Sequence, residues 1–115
     1  MSDNVTALRQ LLLSAPHETL PMTYQQVATE LGLMPPRTIG QVTQALEQLM
    51  SEDAAQQTPF IAALVVSRRG EALPAAGFFE LAVALGRFPE DPTLHEPAYR
   101  AEFQRALNER GPFHH

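Results

Sequence analysis

The 115-residue sequence has no cysteine, no tryptophan and no lysine. Without cysteine there are no disulfides, no thiolate nucleophiles and no zinc–thiolate sites. Without lysine the basic set consists of eight arginines, set against thirteen carboxylates for a formal net charge of −5. Arginine's planar fork suits bidentate pairing with phosphate or carboxylate, although a GC-rich coding bias yields the same preference. A net negative chain is a poor non-specific binder of nucleic acid, because that binding depends on neutralised phosphates. No apolar run approaches the roughly 18 residues of a membrane span. The N-terminus MSDNVTALRQ lacks the basic start and apolar middle of a signal peptide. The expectation is therefore a cytoplasmic chain with no membrane partner. No glycine-rich phosphate loop follows a strand-like run, and no serine lies in a nucleophile-elbow pattern. His17 and His95 are far apart with no ligand-spaced neighbours, so neither a metal nor another cofactor is expected.

The length suits one domain, 1–115, and the hydrophobic fraction of 44% is ordinary for a globular protein. Helical spacing begins with Val5, Leu8, Leu11 and Leu12, and Pro16 and Pro21 interrupt it. In TYQQVATELGL, Thr23 and Gln26 have the spacing of a capping box, and Gly32 suits a left-handed C-cap. After two prolines, RTIGQVTQALEQLM repeats Ile39, Val42, Leu46 and Leu49 as the inward stripe of a second helix. Two helices joined by a tight turn make a helix-turn-helix candidate. SEDAAQQTP reads as a polar loop, FIAALVVS as a strand, and RRGEALPAAG as a glycine turn with a second short strand near Ala72 and Leu73. Strand, turn and strand in that place would form a wing. FFELAVALG reads as a helix ending at Gly86, and Pro97 opens a last helix with Tyr99, Phe103, Ala106 and Leu107 inward. GPFHH reads as a frayed end, with His114 and His115 either native or a tag remnant.

Two motifs in this order resemble the C-terminal DNA-binding domain of the O6-alkylguanine-DNA alkyltransferases and alkyltransferase-like proteins. Thr23-Tyr24-Gln25-Gln26-Val27-Ala28 stands where that family has Thr-Tyr-Gly-Glu-Val-Ala. Arg37-Thr38-Ile39-Gly40 stands where it has Arg-Ala-Val-Gly at the start of its recognition helix. The match spans roughly residues 20 to 75. The resemblance implies that Tyr24 presses on a phosphate and that Arg37 enters the base stack as a nucleotide rotates out, an extrusion that costs a few kcal/mol. The family's Pro-Cys-His-Arg-Val-Val falls on Ile61-Ala62-Ala63-Leu64-Val65-Val66, so Ala62 stands at the nucleophile's position and Ala63 and Leu64 replace its polar neighbours. Alkyl transfer needs an activated thiolate, and this chain has none. PFIAALVV and LPAAGFF are also similar to a group of small, uncharacterised bacterial domains.

Each candidate contact has a plain alternative. Tyr24 is either a phosphate contact or an aromatic on the helix stripe with its hydroxyl bonded at the edge. Arg37 is either a DNA contact or a surface arginine paired with a carboxylate. It is the only arginine between positions 10 and 67, and it precedes a helix whose dipole disfavours a cation there. Gln41 and Gln44 suit adenine in a major groove, or are ordinary glutamines on an exposed face. Arg68 and Arg69, at the presumed wing, suit phosphates, which position a protein without reading sequence, or are common turn arginines. Glu52 and Asp53, and Glu90 and Asp91, read as solvated loop charge.

The expectation is an α+β fold: a winged helix-turn-helix with flanking N- and C-terminal helices and a small β-wing. Helix-turn-helix and wing occupy 20–75, and the C-terminal helices 76–110. Such a chain is a non-enzymatic module that binds DNA weakly through Tyr24, Arg37, Gln41, Gln44, Arg68 and Arg69. The alternative is a protein–protein interaction module that has lost DNA binding. Phe78 and Phe79 cannot easily both face one core, so their helix is a candidate for docking on a second copy, and monomer and homodimer both stay open.

Overall fold

The computed structural model describes residues 3–67 and 73–109. Among them the chain is mainly helical: α1 (Asp3–Ser14), α2 (Tyr24–Leu31), α3 (Thr38–Gln56), α4 (Ala76–Ala84) and α5 (His95–Glu109). Two short strands, β1 (Met22–Thr23) and β2 (Val65–Val66), and three 3-10 turns at His17–Thr19, Ile61–Leu64 and Pro92–Leu94 complete it. The buried apolar residues form one cluster to which every helix contributes. No helix of the described residues is long and apolar enough to cross a membrane.

α2 forms as its local chemistry dictates. The Thr23 hydroxyl accepts the Gln26 N–H at 3.1 Å, and the Gln26 side chain accepts the Thr23 N–H at 2.8 Å, closing the capping box. Gly32 ends the helix at φ 67, and the Leu33 N–H reaches back to the Ala28 carbonyl at 3.0 Å. α3 departs from expectation by continuing through Ser51–Gln56 instead of yielding to a loop. That stretch is polar but contains good helix formers and no breaker. The helix stops where Gln57 turns left-handed at φ 60. Asp53 is consequently not a solvated loop charge. It is 3% exposed and meets the Arg9 guanidinium at 3.0 Å, while Arg9 also reaches Glu52 at 3.0 Å.

The apolar run FIAALVVS is a strand only at its end. Phe60 through Val66 are buried without a break, but Ile61–Leu64 wind as a 3-10 turn before β2 begins. Apolar neighbours on every side suit a buried turn as well as a buried strand, so periodicity does not separate the two. Each buried amide must then find an acceptor. The Phe60 N–H donates to Glu102 at 2.7 Å and the Ile61 N–H to Asp53 at 3.0 Å. The Tyr99 hydroxyl donates to the Ala63 carbonyl at 2.8 Å. Glu102, fully buried on α5, also accepts from Arg87 at 2.7 Å and from Arg105. The Arg87 guanidinium lies 4.3 Å from the centroid of the Phe60 ring.

The sheet differs from the expected wing. β1 and β2 pair in parallel, with Met22 opposite Val65 and Thr23 opposite Val66. β1 is two residues long and too short to carry a periodic signal. Beyond β2, the Ser67 N–H donates to the Leu73 carbonyl at 2.9 Å. The Arg68–Ala72 turn lies outside the described residues. Phe78 and Phe79 do both serve one core. Phe78 is buried edge-on against Phe60 and Tyr99, while half-buried Phe79 stacks on the His95 ring at 5.4 Å. The ground for expecting α4 to dock on a second copy is thereby removed.

Two outcomes follow for stability. Glu102→Ala leaves the Phe60 amide and Arg87 without their buried acceptor, and is expected to cost about 3–5 kcal/mol in urea unfolding. Burial pushes the Tyr99 hydroxyl well above its ordinary 10.0; Arg100 opposes this, and Tyr24 adds to it. A folded-state value above the unfolded one means stability that is complete below pH 10 and lost as pH rises beyond it. With no lysine or cysteine, the chain's two tyrosines are the side chains that titrate there. Wild type should therefore lose urea resistance as pH rises above about 10, and Tyr99→Phe, less stable at neutral pH, should lose distinctly less over the same range.

Candidate nucleic-acid interface

The turn from α2 to α3 is built from inside by a side chain that sequence reasoning assigned to base contact. The Gln41 amide donates to the Met34 carbonyl at 3.1 Å and to the Pro36 carbonyl at 3.2 Å. It is half-buried and braces Met34–Pro36 against the first turn of α3. Gln44, one helical turn later, is exposed. Ile39 is also exposed, at 40%, rather than part of the inward stripe that Val42, Leu46 and Leu49 form. A stripe position in the first turn is apolar-facing only if something packs over the helix end.

Arg37 occupies the N-cap of α3 with φ 59 and ψ 43, and its side chain makes no capping bond. A left-handed conformation is unfavourable for a residue with a Cβ, and a guanidinium beside a helix N-terminus meets the positive end of the dipole. Its carbonyl nevertheless accepts the Gln41 N–H at 2.9 Å, starting the helix. Five arginines lie among the described residues. Arg9 pairs with Glu52 and Asp53, Arg87 and Arg105 with Glu102, and Arg100 with Glu96. Among the described residues Arg37 makes no ion pair, and it is exposed between Met34, 73% exposed, and Ile39. The turn thus presents one uncompensated cation between two apolar side chains, above uncapped amides at the start of a helix. That arrangement attracts an anion.

Tyr24 sits in a different environment. Its half-buried hydroxyl accepts the Ala75 N–H at 3.3 Å, which ties the start of α2 to the N-cap of α4. Burial raises its pKa, against the Ala75 hydrogen bond, and the nearby Glu47 carboxylate raises it further. Arg68 and Arg69 lie outside the described residues. The structure therefore brings Arg37, Gln41 and Gln44 together at the head of α3, with Gln41 committed to the turn and Tyr24 to the joint with α4. Sequence reasoning did not single out Met34, which carries no motif; its position between a helix C-cap and two prolines is the signal that marks it as a loop tip.

Ala62, Ala63 and Leu64 are each at most 1% exposed. There is no surface at those residues through which an extruded base would enter. Among the described residues no group of three or more histidines and carboxylates is placed to hold a metal ion. Comparison with protein-family models, with curated proteins and with solved structures finds no match to this chain.

The conformation of Arg37 predicts a stability effect opposite in sign to most substitutions. Arg37→Gly relieves the left-handed strain and removes the cation from the dipole's positive end. It should stabilise the protein by about 0.5–1 kcal/mol, read as a raised urea midpoint at unchanged slope. An unchanged or lowered midpoint would show that the side chain supports the fold.

Proposed function

We propose that this chain is a non-enzymatic, winged-helix-like module that contacts DNA weakly through the head of α3. The observation that carries the reading is Arg37, the one arginine among the described residues that no carboxylate neutralises. It is held at the tip of a helix-turn-helix in a conformation that opposes stability. The α2–turn–α3 arrangement and the return of Leu73 onto Ser67 are compatible with the winged-helix type of the alkyltransferase-like domains that the Thr23–Ala28 and Arg37–Gly40 motifs resemble. The closed core at Ala62–Leu64 favours surface contact with DNA over extrusion of a nucleotide, and it supplies no nucleophile for group transfer. In this reading Arg37 holds a phosphate, Gln44 faces the bases, and Arg68 and Arg69 add phosphate contacts. Glu47, exposed on α3 beyond Gln44, keeps the affinity low.

A protein partner is the second reading, and the exposure of Met34 and Ile39 beside Arg37 favours it. Apolar side chains at a protein interface exclude water around a central arginine, a pattern common at binding hot spots.

Salt dependence of binding tests the first reading. Each phosphate neutralised contributes about −0.9 to the slope of log affinity against log salt. With Arg37, Arg68 and Arg69 engaged, the expected slope on duplex DNA is no steeper than about −2.7. Arg37→Ala should flatten it by about one phosphate. Failure of duplex and single-stranded DNA to bind at low salt would overturn the DNA reading. Binding that Arg37→Ala leaves untouched would overturn the role of Arg37.

A further inference from the structure

The connection between α1 and α2 does not close over the helices it joins. A cleft of about 560 Å³ remains, bounded by the C-terminal end of α1, the 15–19 segment, β1 and one side of α2. Its size is that of a small-molecule site, about 300–1,000 Å³. The floor is apolar, formed by Leu11, Ala15 and Met22.

The rim includes the first turn of α2, where the capping box already occupies the Thr23 and Gln26 amides, and its other polar groups are mainly acceptors. The Ser14 hydroxyl already donates its proton to the Gln10 carbonyl at 2.8 Å, and the Thr19 hydroxyl donates to the Pro16 carbonyl at 2.7 Å. Both oxygens therefore offer lone pairs to the cleft. Glu30 is the charged residue of the lining, where there is no arginine or histidine, and among the described residues it has no basic partner. α1 ends at this rim with no basic residue in its last turn, so the negative end of its dipole is uncompensated. Gln25 and Thr29, one turn apart on α2, offer an amide and a hydroxyl that can donate or accept.

We propose that this cleft binds a small organic cation: an ammonium group at the acceptor-rich rim and an apolar body on Leu11, Ala15 and Met22. The carboxylate, the lone pairs and the helix end favour a positive donor, and the same groups repel carboxylates and phosphates. The site runs along one side of α2 from Thr23 to Glu30, and neither Arg37 nor Gln44 of the proposed DNA contact is among its lining residues, so either reading stands or fails without the other.

The test is an amide NMR titration of the full chain with phenethylamine. Phenethyl alcohol serves as the neutral isostere and hydrocinnamate as the anionic one. Phenethylamine should give saturable shifts at the amides of Leu11, Ser14, Thr19, Gln25 and Thr29, with Kd on the order of 1 mM. The alcohol should bind about tenfold more weakly, and hydrocinnamate should not saturate. Exposed Glu30 is replaceable without unfolding the protein, and Glu30→Gln should weaken the amine about tenfold, while Gln25→Glu should tighten it. Shifts that map elsewhere, equal binding of amine and alcohol, or indifference to both substitutions would each overturn the proposal.

Discussion

The buried amides of Phe60 and Ile61 need acceptors that water cannot supply, and two carboxylates from different helices supply them. Glu102 of α5 takes the first and Asp53 of α3 the second. Each carboxylate brings its own arginines: Arg9 of α1 for Asp53, and Arg87 and Arg105 for Glu102. Buried charge is tolerable only when paired and fully hydrogen-bonded, and here the pairing joins α1, α3 and α5 to one point on the central segment. With its first amides satisfied, Phe60–Val66 can stay buried on all sides with no alternation of polar residues. The closed state of Ala62–Leu64 is a consequence: helices converge on the segment, and no face of it remains for a ligand.

The outer features depend on that centre through β2. Val65 and Val66 emerge from the 3-10 turn and pair with Met22 and Thr23, which fixes the residue that caps α2. The Tyr24 hydroxyl then anchors the start of α4 through Ala75. At the other end of α2, Gly32 and the Gln41 side chain shape the turn that carries Arg37. The head of α3 is thus hydrogen-bonded from both sides of the turn although its own residues oppose stability. A site can keep an unfavourable φ and an uncompensated charge only where its surroundings over-determine its shape.

What was legible in the sequence was what neighbouring residues decide among themselves. The Thr23–Gln26 capping box, the Gly32 cap, the α3 stripe from Val42 to Leu49 and the end of α4 near Gly86 all rest on contacts within a few positions. Local pattern is silent where distant elements decide. Ser51–Gln56 are as polar as an exposed loop, but Asp53 faces a buried amide eight residues ahead. The turn at Ile61–Leu64 and the two-residue β1 are set by partners that no local period reveals. Glu102 did leave a trace: it stands three residues after Tyr99 and four before Ala106, on the inward face of α5. For the candidate site, the place of Arg37 at the head of α3 was legible. Its lack of an ion pair among the described residues was not, because that depends on where the carboxylates end up. Gln41 was recognisable as a side chain near the turn, but its commitment to two carbonyls was not.

The acceptor for the Phe60 amide lies 42 residues downstream. As the chain leaves the ribosome, α1, α2 and α3 are complete while the central segment still lacks Glu102, and Arg87 emerges before the carboxylate it pairs with. An unsatisfied buried amide and a long-range contact both work against closure of the core before α5 is made. α5 supplies the acceptor that the central segment lacks until then. A nascent chain caught before α5 offers its most continuous apolar stretch, Phe60–Val66, to whatever chaperone or aggregate it meets first.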